Sequence, residues 1–213
     1  MKDIVILGAG GHAKVVADAA SKKYNILGFL DKDKCQLNNK ILDYVILGDD
    51  NDPRYWIDKG IHSCVVGIGN MGDTVIRNKV FETYKNAGFS LETIIHEKAD
   101  VSKFAYVGEG TVVLSHAVIN AGAKVGDNCI INSSAVVEHD TTIRNGVHVG
   151  PGVVVTGLCE IGENSFLGAS SVIINGIKIG RNVIVGAGSV IINDIPDNVV
   201  VVGNPGKIVS QRR

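Results

Sequence analysis

Residues 118–143 read VINAGAKVGDNCIINSSAVVEHDTTI, and a branched aliphatic residue recurs there at every sixth position. The same interval continues in both directions without a break. The positions are Val101, Val107, Val113, Ile119, Val125, Ile131, Val137, Ile143, Val149, Val155, Ile161, Leu167, Ile173, Ile179, Val185 and Ile191. An α-helix repeats about every 3.6 residues and a flat strand about every 2, so neither explains this period. A sustained period of six is typical of a β-helix built from hexapeptide repeats.

Three such hexads would close one triangular coil, with a strand and a turn on each side. Residues 18 apart would then lie above one another at a strand spacing of about 4.8 Å. Counted back to Ile95, the frame holds about seventeen hexads, which predicts between five and six coils. Four positions after each recurring aliphatic residue, here called the anchor, stands a small or β-branched residue such as Ala105 or Ser189. It would keep the narrow interior from being overpacked.

Glycines follow many anchors directly, or stand two positions further on. Those directly after the anchor are Gly108, Gly126, Gly150, Gly162, Gly168, Gly180 and Gly186. We expect both sets to form tight corners that require a positive φ. The alternative fold is a β-sandwich with a chance apolar pattern, but sandwich strands recur at irregular spacings of about 8–12 residues. The even period therefore favours the β-helix.

The first part of the chain has another pattern, in which short apolar strands alternate with helical stretches. The predicted strands are 3–8, 26–30, 44–48 and 63–67, and the predicted helices are 13–22, 54–60 and 73–86. This alternation predicts a small parallel α/β sheet. We therefore expect a Rossmann-like α/β domain over residues 1–92. The β-helix, with a C-terminal strand and loop as its cap, would occupy residues 93–213.

Composition narrows the range of functions. The chain has 213 residues, 45% hydrophobic and 5% aromatic, with a net charge of −1 and no basic cluster. These values argue against binding to a nucleic acid polymer. No apolar stretch approaches the length of a membrane span, and Met1-Lys2-Asp3-Ile4 begins a strand rather than a signal peptide. The four cysteines lack the paired spacing of a zinc site, so we expect reduced thiols, no metal and a cytoplasmic protein.

A glycine-rich loop, Gly8-Ala-Gly10-Gly11-His12-Ala13, joins the first predicted strand to the first helix. Glycines at this point let a phosphate approach the backbone and the N–H groups of the helix N-terminus. The spacing G-x-G-x-x-A, with Asp31 after the second strand, also matches a dinucleotide fingerprint and would predict an NAD-linked oxidoreductase. The domain is only about half of a full dinucleotide-binding fold, which favours a nucleotide-diphosphate site. A purely structural turn is the third interpretation.

Glu138-His139-Asp140 places an imidazole between two carboxylates at a turn position of its hexad. One carboxylate can hold a ring N–H and fix the tautomer, which leaves the other ring nitrogen free to take a proton. The triplet therefore predicts a general base at His139, whereas His96 and His116 have no such partners and are interpreted as structural. His148 follows nine residues later, half a coil away.

These motifs together resemble one family. The hexads, the segment 132–140 and the Gly-Asn-Pro-Gly-Lys tail are similar to the left-handed β-helix acyltransferases. The segment 8–16 is similar to the sugar O- and N-acetyltransferases related to sialic acid O-acetyltransferase, and among them to nucleotide-sugar N-acetyltransferases acting on UDP-4-amino-4,6-dideoxy sugars. The resemblance implies left-handed coiling and a homotrimer with active sites at subunit interfaces. It also implies acetyl-CoA as co-substrate and no metal.

The resemblance also implies roles for individual residues. His139 matches the general base, and Asp140 matches the acidic residue that supports it, with Glu138 as a competitor for that second role. The positions that match acetyl-CoA contacts are Asn132, His148, Gly157, Ala169, Ala187 and Lys207. The positions that match nucleotide-sugar contacts are Gly10, Gly11, His12, Asp31, Lys32 and Gly69. Two departures stand out: Asp31-Lys32 replaces a paired-acid pattern of some members, and Gly206 stands where alanine is common.

The sequence thus predicts direct transfer of an acetyl group from acetyl-CoA to an amino group on a nucleotide-linked sugar. No acyl-enzyme is expected, because a thioester is already activated and no cysteine is placed to form one. The nearest alternative is O-acetylation of sialic acid or another sugar hydroxyl. An NAD-linked oxidoreductase and a trimeric scaffold without catalysis are alternatives from other classes. The sequence leaves open the sugar, the nucleotide and the acyl group.

Overall fold

The computed structural model describes residues 1–33, 35 and 37–212. The chain divides into two compact units. The first unit comprises Met1–Gly69 and Val75–Ile95, and the second comprises Asn70–Thr74 and His96–Arg213. A short segment after the glycine at 69 therefore belongs to the second unit, although its neighbours in sequence belong to the first.

The first unit is a mostly parallel sheet with helices. Its helices are α1 (Gly11–Ala20), α2 (Pro53–Asp58) and α3 (Val75–Asn86). Its strands are β1 (Lys2–Leu7), β2 (Tyr24–Leu30), β3 (Lys40–Ile41), β4 (Tyr44–Gly48), β5 (Ser63–Val66), β6 (Ser90–Leu91) and β7 (Ile94–Ile95). The sheet has the order β3-β4-β2-β1-β5-β6. β1 pairs in parallel with β2 and β5, whereas β3 pairs antiparallel with β4.

Burial explains why these strands were visible in the sequence. Every residue of β5 is buried, as are the last four of β1, so both read as continuous apolar runs, as the strands of a parallel sheet covered on both faces do. The predicted α/β domain is confirmed. The structure adds β3 and β6, which have two residues each and therefore no periodicity to detect. Helix α1 begins two residues earlier than predicted because Gly10 is its N-cap, so the glycine-rich loop itself opens the helix.

The second unit is a parallel β-helix with three faces. Its strands are β8 (Asp100–Val101), β9 (Tyr106–Val107), β10 (Val112–Val113), β11 (Val118–Ile119), β12 (Lys124–Val125), β13 (Ile130–Ile131), β14 (Val136–Val137), β15 (Thr142–Ile143), β16 (His148–Val149), β17 (Val154–Val155), β18 (Glu160–Ile161), β19 (Phe166–Leu167), β20 (Val172–Ile173), β21 (Lys178–Ile179), β22 (Ile184–Val185), β23 (Val190–Ile191), β24 (Val199–Val202) and β25 (Lys207–Gln211). We name each face by its first strand. The β8 face contains β8-β11-β14-β17-β20-β23, the β9 face contains β9-β12-β15-β18-β21, and the β10 face contains β10-β13-β16-β19-β22-β24-β25.

The register confirms the predicted triangular coil. Val118 pairs with Val136, which pairs in turn with Val154, Val172 and Val190, so each coil advances the chain by 18 residues. Strand β24 continues the β10 face in parallel with β22, as the predicted C-terminal strand, and β25 pairs antiparallel with β24. The sequence did not reveal β25, because its residues are all exposed and show no pattern of burial.

Interior hydroxyl groups bond the coils to one another. Thr111 Oγ1 donates to the carbonyl of Gly126 at 2.7 Å and accepts from the N–H of Cys129 at 2.9 Å. Ser165, three coils later on the same side of the prism, makes the same pair of bonds, to Gly180 and Val183. The small residue four positions after each anchor therefore does more than limit the volume of the interior. Where this residue is polar, it also satisfies buried backbone groups.

The expectation for the corner glycines was half wrong. A positive φ occurs at the third position after the anchor, where Gly110, Gly122 and Asp140 lie. The glycines directly after the anchor do not have a positive φ. They are needed for space: a Cβ atom on Gly108 would lie 2.5 Å from the carbonyl carbon of Gly126 in the next coil. Close stacking of the backbone, rather than a left-handed turn, requires glycine at that position.

Candidate functional site

A cavity of about 800 Å³ opens at the glycine-rich loop of the first unit. We call it the glycine-loop cavity; it is lined by Gly8, Ala9, Gly10, Gly11, His12, Asp31, Lys32, Asp50, Asn51, Gly67, Ile68, Gly69, Val75, Ile76, Lys79, Val80 and Thr83. All six residues predicted to contact a nucleotide sugar are among them. Gly10 caps α1 without a side-chain hydrogen bond, and Cβ atoms on Gly10 or Gly11 would meet nothing within 4 Å. The N-terminus of α1 and the open space in front of it suit an anionic group such as a phosphate.

Asp31 shapes the rim of the glycine-loop cavity. Its Oδ2 accepts a hydrogen bond from the N–H of Ala9 at 2.8 Å, and its Oδ1 accepts one from the N–H of Asp33 at 2.9 Å. The carboxylate therefore ties the glycine-rich loop to the end of β2. Burial raises the pKa of nearby Asp50, and the neighbouring charges of Asp31 and Asp49 raise it further.

The opposite wall of the cavity is held by a residue that the sequence analysis missed. Arg77 of α3 is fully buried, and its Nη1 donates to the carbonyls of Val66 and Ile68 at 2.9 and 2.7 Å. These bonds fix the loop that carries Gly69, where a Cβ atom would lie 3.1 Å from Cβ of His12. The available signal was a guanidinium on the apolar side of a predicted helix, where arginine is rare unless it is bonded.

In the second unit, His139 and Asp140 form a hydrogen-bonded pair at the corner between the β8 and β9 faces. Asp140 Oδ2 accepts from Nδ1 of His139 at 3.0 Å, and the two side chains are 53% and 59% exposed. Glu138 instead accepts from the backbone N–H of His139 at 3.3 Å. Asp140 adopts a φ of 56°, a left-handed conformation that aspartate tolerates better than most residues. Asp140, rather than Glu138, therefore lies against the ring and fixes its tautomer, which leaves Nε2 as the basic nitrogen.

Two glycines enclose this pair, one in the coil before and one in the coil after. A Cβ atom on Gly157, 18 residues after His139, would lie 2.7 Å from Nε2 and Cε1 of the imidazole. A Cβ atom on Gly122, 18 residues before Asp140, would overlap its Oδ1. Gly157 is among the site residues predicted from the sequence and Gly122 is not, although the 18-residue register alone places it next to Asp140. We call residues 138–140 with Gly157 the His139 corner.

The backbone of Gly157 supplies a hydrogen-bond donor beside the imidazole. Within the described part of the chain, no acceptor bonds to the N–H group of Gly157. A backbone N–H next to a basic nitrogen can stabilise a negative oxygen that develops on a reacting carbonyl. The arrangement can therefore do both parts of an acyl transfer: proton removal and oxyanion stabilisation.

His148 lies elsewhere and in another environment. Its ring is buried, with Nδ1 donating to the carbonyl of Asn70 at 2.7 Å and Nε2 accepting from Nδ2 of Asn132 at 3.0 Å. Phe166 packs edge-on against the ring, with centroids 5.1 Å apart. Both nitrogens are thus engaged, and the geometry gives His148 a structural role in the second unit. Its predicted contact with acetyl-CoA, like that of Asn132, stays a prediction.

The other predicted acetyl-CoA positions lie on a different corner. Asn132, Ala169 and Ala187 lie in the turns between the β10 and β8 faces, whereas the His139 corner lies between the β8 and β9 faces. One chain therefore does not bring the two sets together, because the β8 face separates them. Lys207 is exposed at the start of β25.

The described residues contain no group of three or more histidine, cysteine, aspartate or glutamate side chains that could hold a metal ion. They also contain no helix with the length and apolar character needed to cross a bilayer.

Comparisons with known proteins agree with this geometry. The model for the PglD N-terminal domain matches residues 3–84, and the bacterial transferase hexapeptide model matches residues 104–138, 122–157 and 158–193. Perosamine N-acetyltransferase from Caulobacter crescentus, solved as a histidine-to-asparagine variant with CoA and GDP-perosamine, is 35% identical. It aligns over 99% of this chain and 98% of its own, with a TM-score of 0.92. The chain belongs to the hexapeptide-repeat sugar acetyltransferases.

Two further solved structures are similar to the chain. The acetyltransferase domain of PglB from Neisseria gonorrhoeae is 34% identical over 98% of this chain and 100% of its own, with a TM-score of 0.91. WeeI from Acinetobacter baumannii, at 22% identity over 98% of this chain and 100% of its own, shares the fold with a TM-score of 0.82. No curated protein sequence matches the chain. Family membership confirms the predictions of a β-helix acetyltransferase that uses acetyl-CoA, and it disfavours the oxidoreductase and scaffold alternatives.

Proposed function

We propose that this protein transfers the acetyl group of acetyl-CoA to an amino group on a nucleotide-linked sugar, with His139 as the general base. The observation that carries the proposal is the His139 corner. An exposed imidazole has its Nδ1 held by Asp140, and its Nε2 faces Gly157, whose N–H has no bonded acceptor among the described residues. Relatives at 34–36% identity that are acetyltransferases or were solved with CoA support the proposal.

The residues of the His139 corner divide the work of the reaction. Nε2 of His139 takes a proton from the amine of the sugar while the amine nitrogen forms a bond to the thioester carbonyl carbon. The N–H of Gly157 donates to the carbonyl oxygen while negative charge develops there. As the carbon–sulfur bond breaks, the imidazolium returns the proton to the departing sulfur, so CoA leaves as its thiol. Burial raises the pKa of the Cys159 thiol, which is consistent with direct transfer and no cysteine nucleophile.

The acceptor is assigned to the glycine-loop cavity by its chemistry. The N-terminus of α1 behind Gly10 would bind the diphosphate, with Lys32 and Lys79 at the rim as cations. Following the sequence resemblance, we take the acceptor to be a UDP-linked 4-amino-4,6-dideoxy sugar. A GDP-linked amino sugar is the rival, favoured by the perosamine N-acetyltransferase complex.

A homotrimer would complete the site. Val118, Val136, Val154, Val172 and Val190 form an outward column of partly exposed valines along the β8 face. If three copies turn this face toward a common axis, the His139 corner of one copy meets the corner of the next copy that carries Asn132, Ala169 and Ala187. Because one chain keeps these corners apart, we propose that acetyl-CoA binds between two subunits. Backbone N–H groups at Ala169 and Ala187 and the cation of Lys207 fit its amides and phosphates.

A substrate panel tests the proposal. The protein is mixed with acetyl-CoA and a UDP-4-amino-4,6-dideoxy sugar, its GDP-linked counterpart or free sialic acid. Release of the CoA thiol is followed together with the product mass. We expect N-acetylation of the UDP-linked amino sugar. Faster turnover of the GDP sugar would replace UDP in the proposal, and acetylation of sialic acid alone would overturn it. Light scattering checks the assembly, and a monomeric active enzyme would exclude the shared site.

A further inference from the structure

Leu158 is an exposed leucine in a left-handed conformation. Its φ is 61°, and 62% of the residue is exposed to solvent. At the equivalent turn position, the other described residues with a positive φ are small or polar: Gly110, His116, Gly122, Asn128, Ser134, Asp140, Gly146, Gly152, Asn164, Ser170, Gly176, Asn182 and Gly188. Phe104 is a large exposed residue at the same position, but its φ is not positive. A branched aliphatic side chain is disfavoured at positive φ because its Cβ lies too close to the backbone.

The position of Leu158 is as unusual as its conformation. It directly follows Gly157, it lies one coil beyond Asp140, and its N–H donates to the carbonyl of His139 at 3.1 Å. A single exposed leucine needs no explanation. Backbone strain and apolar exposure together, beside the reacting groups, do need one, because neither stabilises the fold. Strain of this kind concentrates at functional sites.

We propose that Leu158 contacts the acyl group of the bound thioester and sets the acyl-chain length that the enzyme accepts. The inference rests on the proposed function. A thioester carbonyl carbon has three substituents: the oxygen is assigned to the N–H of Gly157, and the sulfur continues into the long arm of CoA. The remaining substituent, the methyl group of acetyl, then lies beside the next residue of the corner, which is Leu158. A leucine there covers a methyl group and leaves little room for a longer chain.

The test compares Leu158→Gly and Leu158→Asn with the wild type. Acetyl-, propionyl- and butyryl-CoA are used as donors with the best acceptor of the substrate panel. In the wild type we expect kcat/KM to fall with each added methylene, and in Leu158→Gly the butyryl-to-acetyl ratio should rise about tenfold or more. In Leu158→Gly, the dissociation constant for butyryl-CoA, measured by calorimetry without acceptor, should fall relative to that for acetyl-CoA.

Stability supplies an independent readout. Glycine and asparagine both tolerate a positive φ. The melting temperature of each variant should therefore equal that of the wild type or exceed it by up to about 4 °C. Leu42→Gly is the matched control: Leu42 is also an exposed leucine with a positive φ (54°), in the turn between β3 and β4 of the first unit, and its replacement should leave the acyl preference unchanged.

Two results would overturn the role of Leu158. One is an unchanged acyl preference in an active Leu158→Gly enzyme. The other is a loss of rate that is equal for all three donors and accompanied by dissociation of the oligomer, which would make Leu158 a subunit contact. Either result leaves acetyl transfer by the wild type intact. Failure of the wild type to acetylate any nucleotide amino sugar would instead remove the proposed function itself.

Discussion

The glycine-loop cavity and the His139 corner present their functional groups in different ways. In the cavity, backbone N–H groups and open space are available to a ligand. Side chains such as Asp31 and Arg77 instead form hydrogen bonds to the backbone of the loops and fix their positions. At the corner, a side chain is the reacting group, and glycines in adjacent coils determine where it lies. The first arrangement suits binding and the second suits proton transfer. Changes in the cavity should therefore act on KM, and changes at the corner on kcat.

The largest effect is expected from His139→Ala, which removes the general base. Turnover should fall by about 10²–10⁴-fold, while KM for the acceptor changes little. Steady-state kinetics measure both constants, and circular dichroism checks the fold. His62→Ala, which removes an exposed histidine before β5 of the first unit, is the control and should keep full activity. A near-normal rate in His139→Ala would show that His139 is not the general base, and the His139 corner would then no longer differ from the glycine-loop cavity in its chemical role.

The next effect separates the two acidic neighbours of His139. Asp140→Ala should lower kcat by about 10–100-fold, because the ring loses the partner that orients it. Glu138→Ala should cost much less, since Glu138 bonds to the backbone rather than to the imidazole. Measuring kcat across pH for both variants tests this order. A larger loss for Glu138→Ala would reverse the assignment.

A smaller effect, and on KM, is expected from the glycine-loop cavity. Gly11→Ala adds a methyl group where the structure has open space, so the fold should be unaffected. The same methyl group would intrude where a phosphate approaches α1, and KM for the nucleotide sugar should rise about tenfold with kcat unchanged. A fall in kcat instead would mean that the cavity takes part in the chemical step.

The smallest effect concerns stability and pH. The pKa of Asp50 is raised in the folded protein, so the unfolded chain releases that proton more readily and the ionised carboxylate opposes folding at neutral pH. Asp50→Asn should therefore melt slightly higher at pH 7, by less than about 1 kcal/mol since the group is only partly buried. The gain should shrink as the pH falls through the raised pKa and vanish below the unfolded value of 3.8. A gain in the stability of Asp50→Asn that does not change with pH would show that the titration of Asp50 is not its cause.

The two regions also differ in how far the sequence predicts them. In the coil, a period of six defines the strands, and the 18-residue register follows from three sides. In the first unit, short strands such as β3 have no period, and the role of Arg77 is evident only from its bonds to the carbonyls of Val66 and Ile68. Even in the coil, the choice between Glu138 and Asp140 depended on the left-handed φ of Asp140. The burial of His148 depended on Asn70, 78 residues away.

The enclosure of the catalytic pair by neighbouring coils constrains how such a chain can change in length. A single-residue insertion between His139 and Gly157 would shift every later side chain by one position, so that a bulkier residue would press on the imidazole. An insertion of one complete turn of the prism beyond Ile173 would restore the register and leave the pair untouched, as repeats can be added to a solenoid. Length variation among natural homologues should therefore occur in whole turns and away from the level of His139.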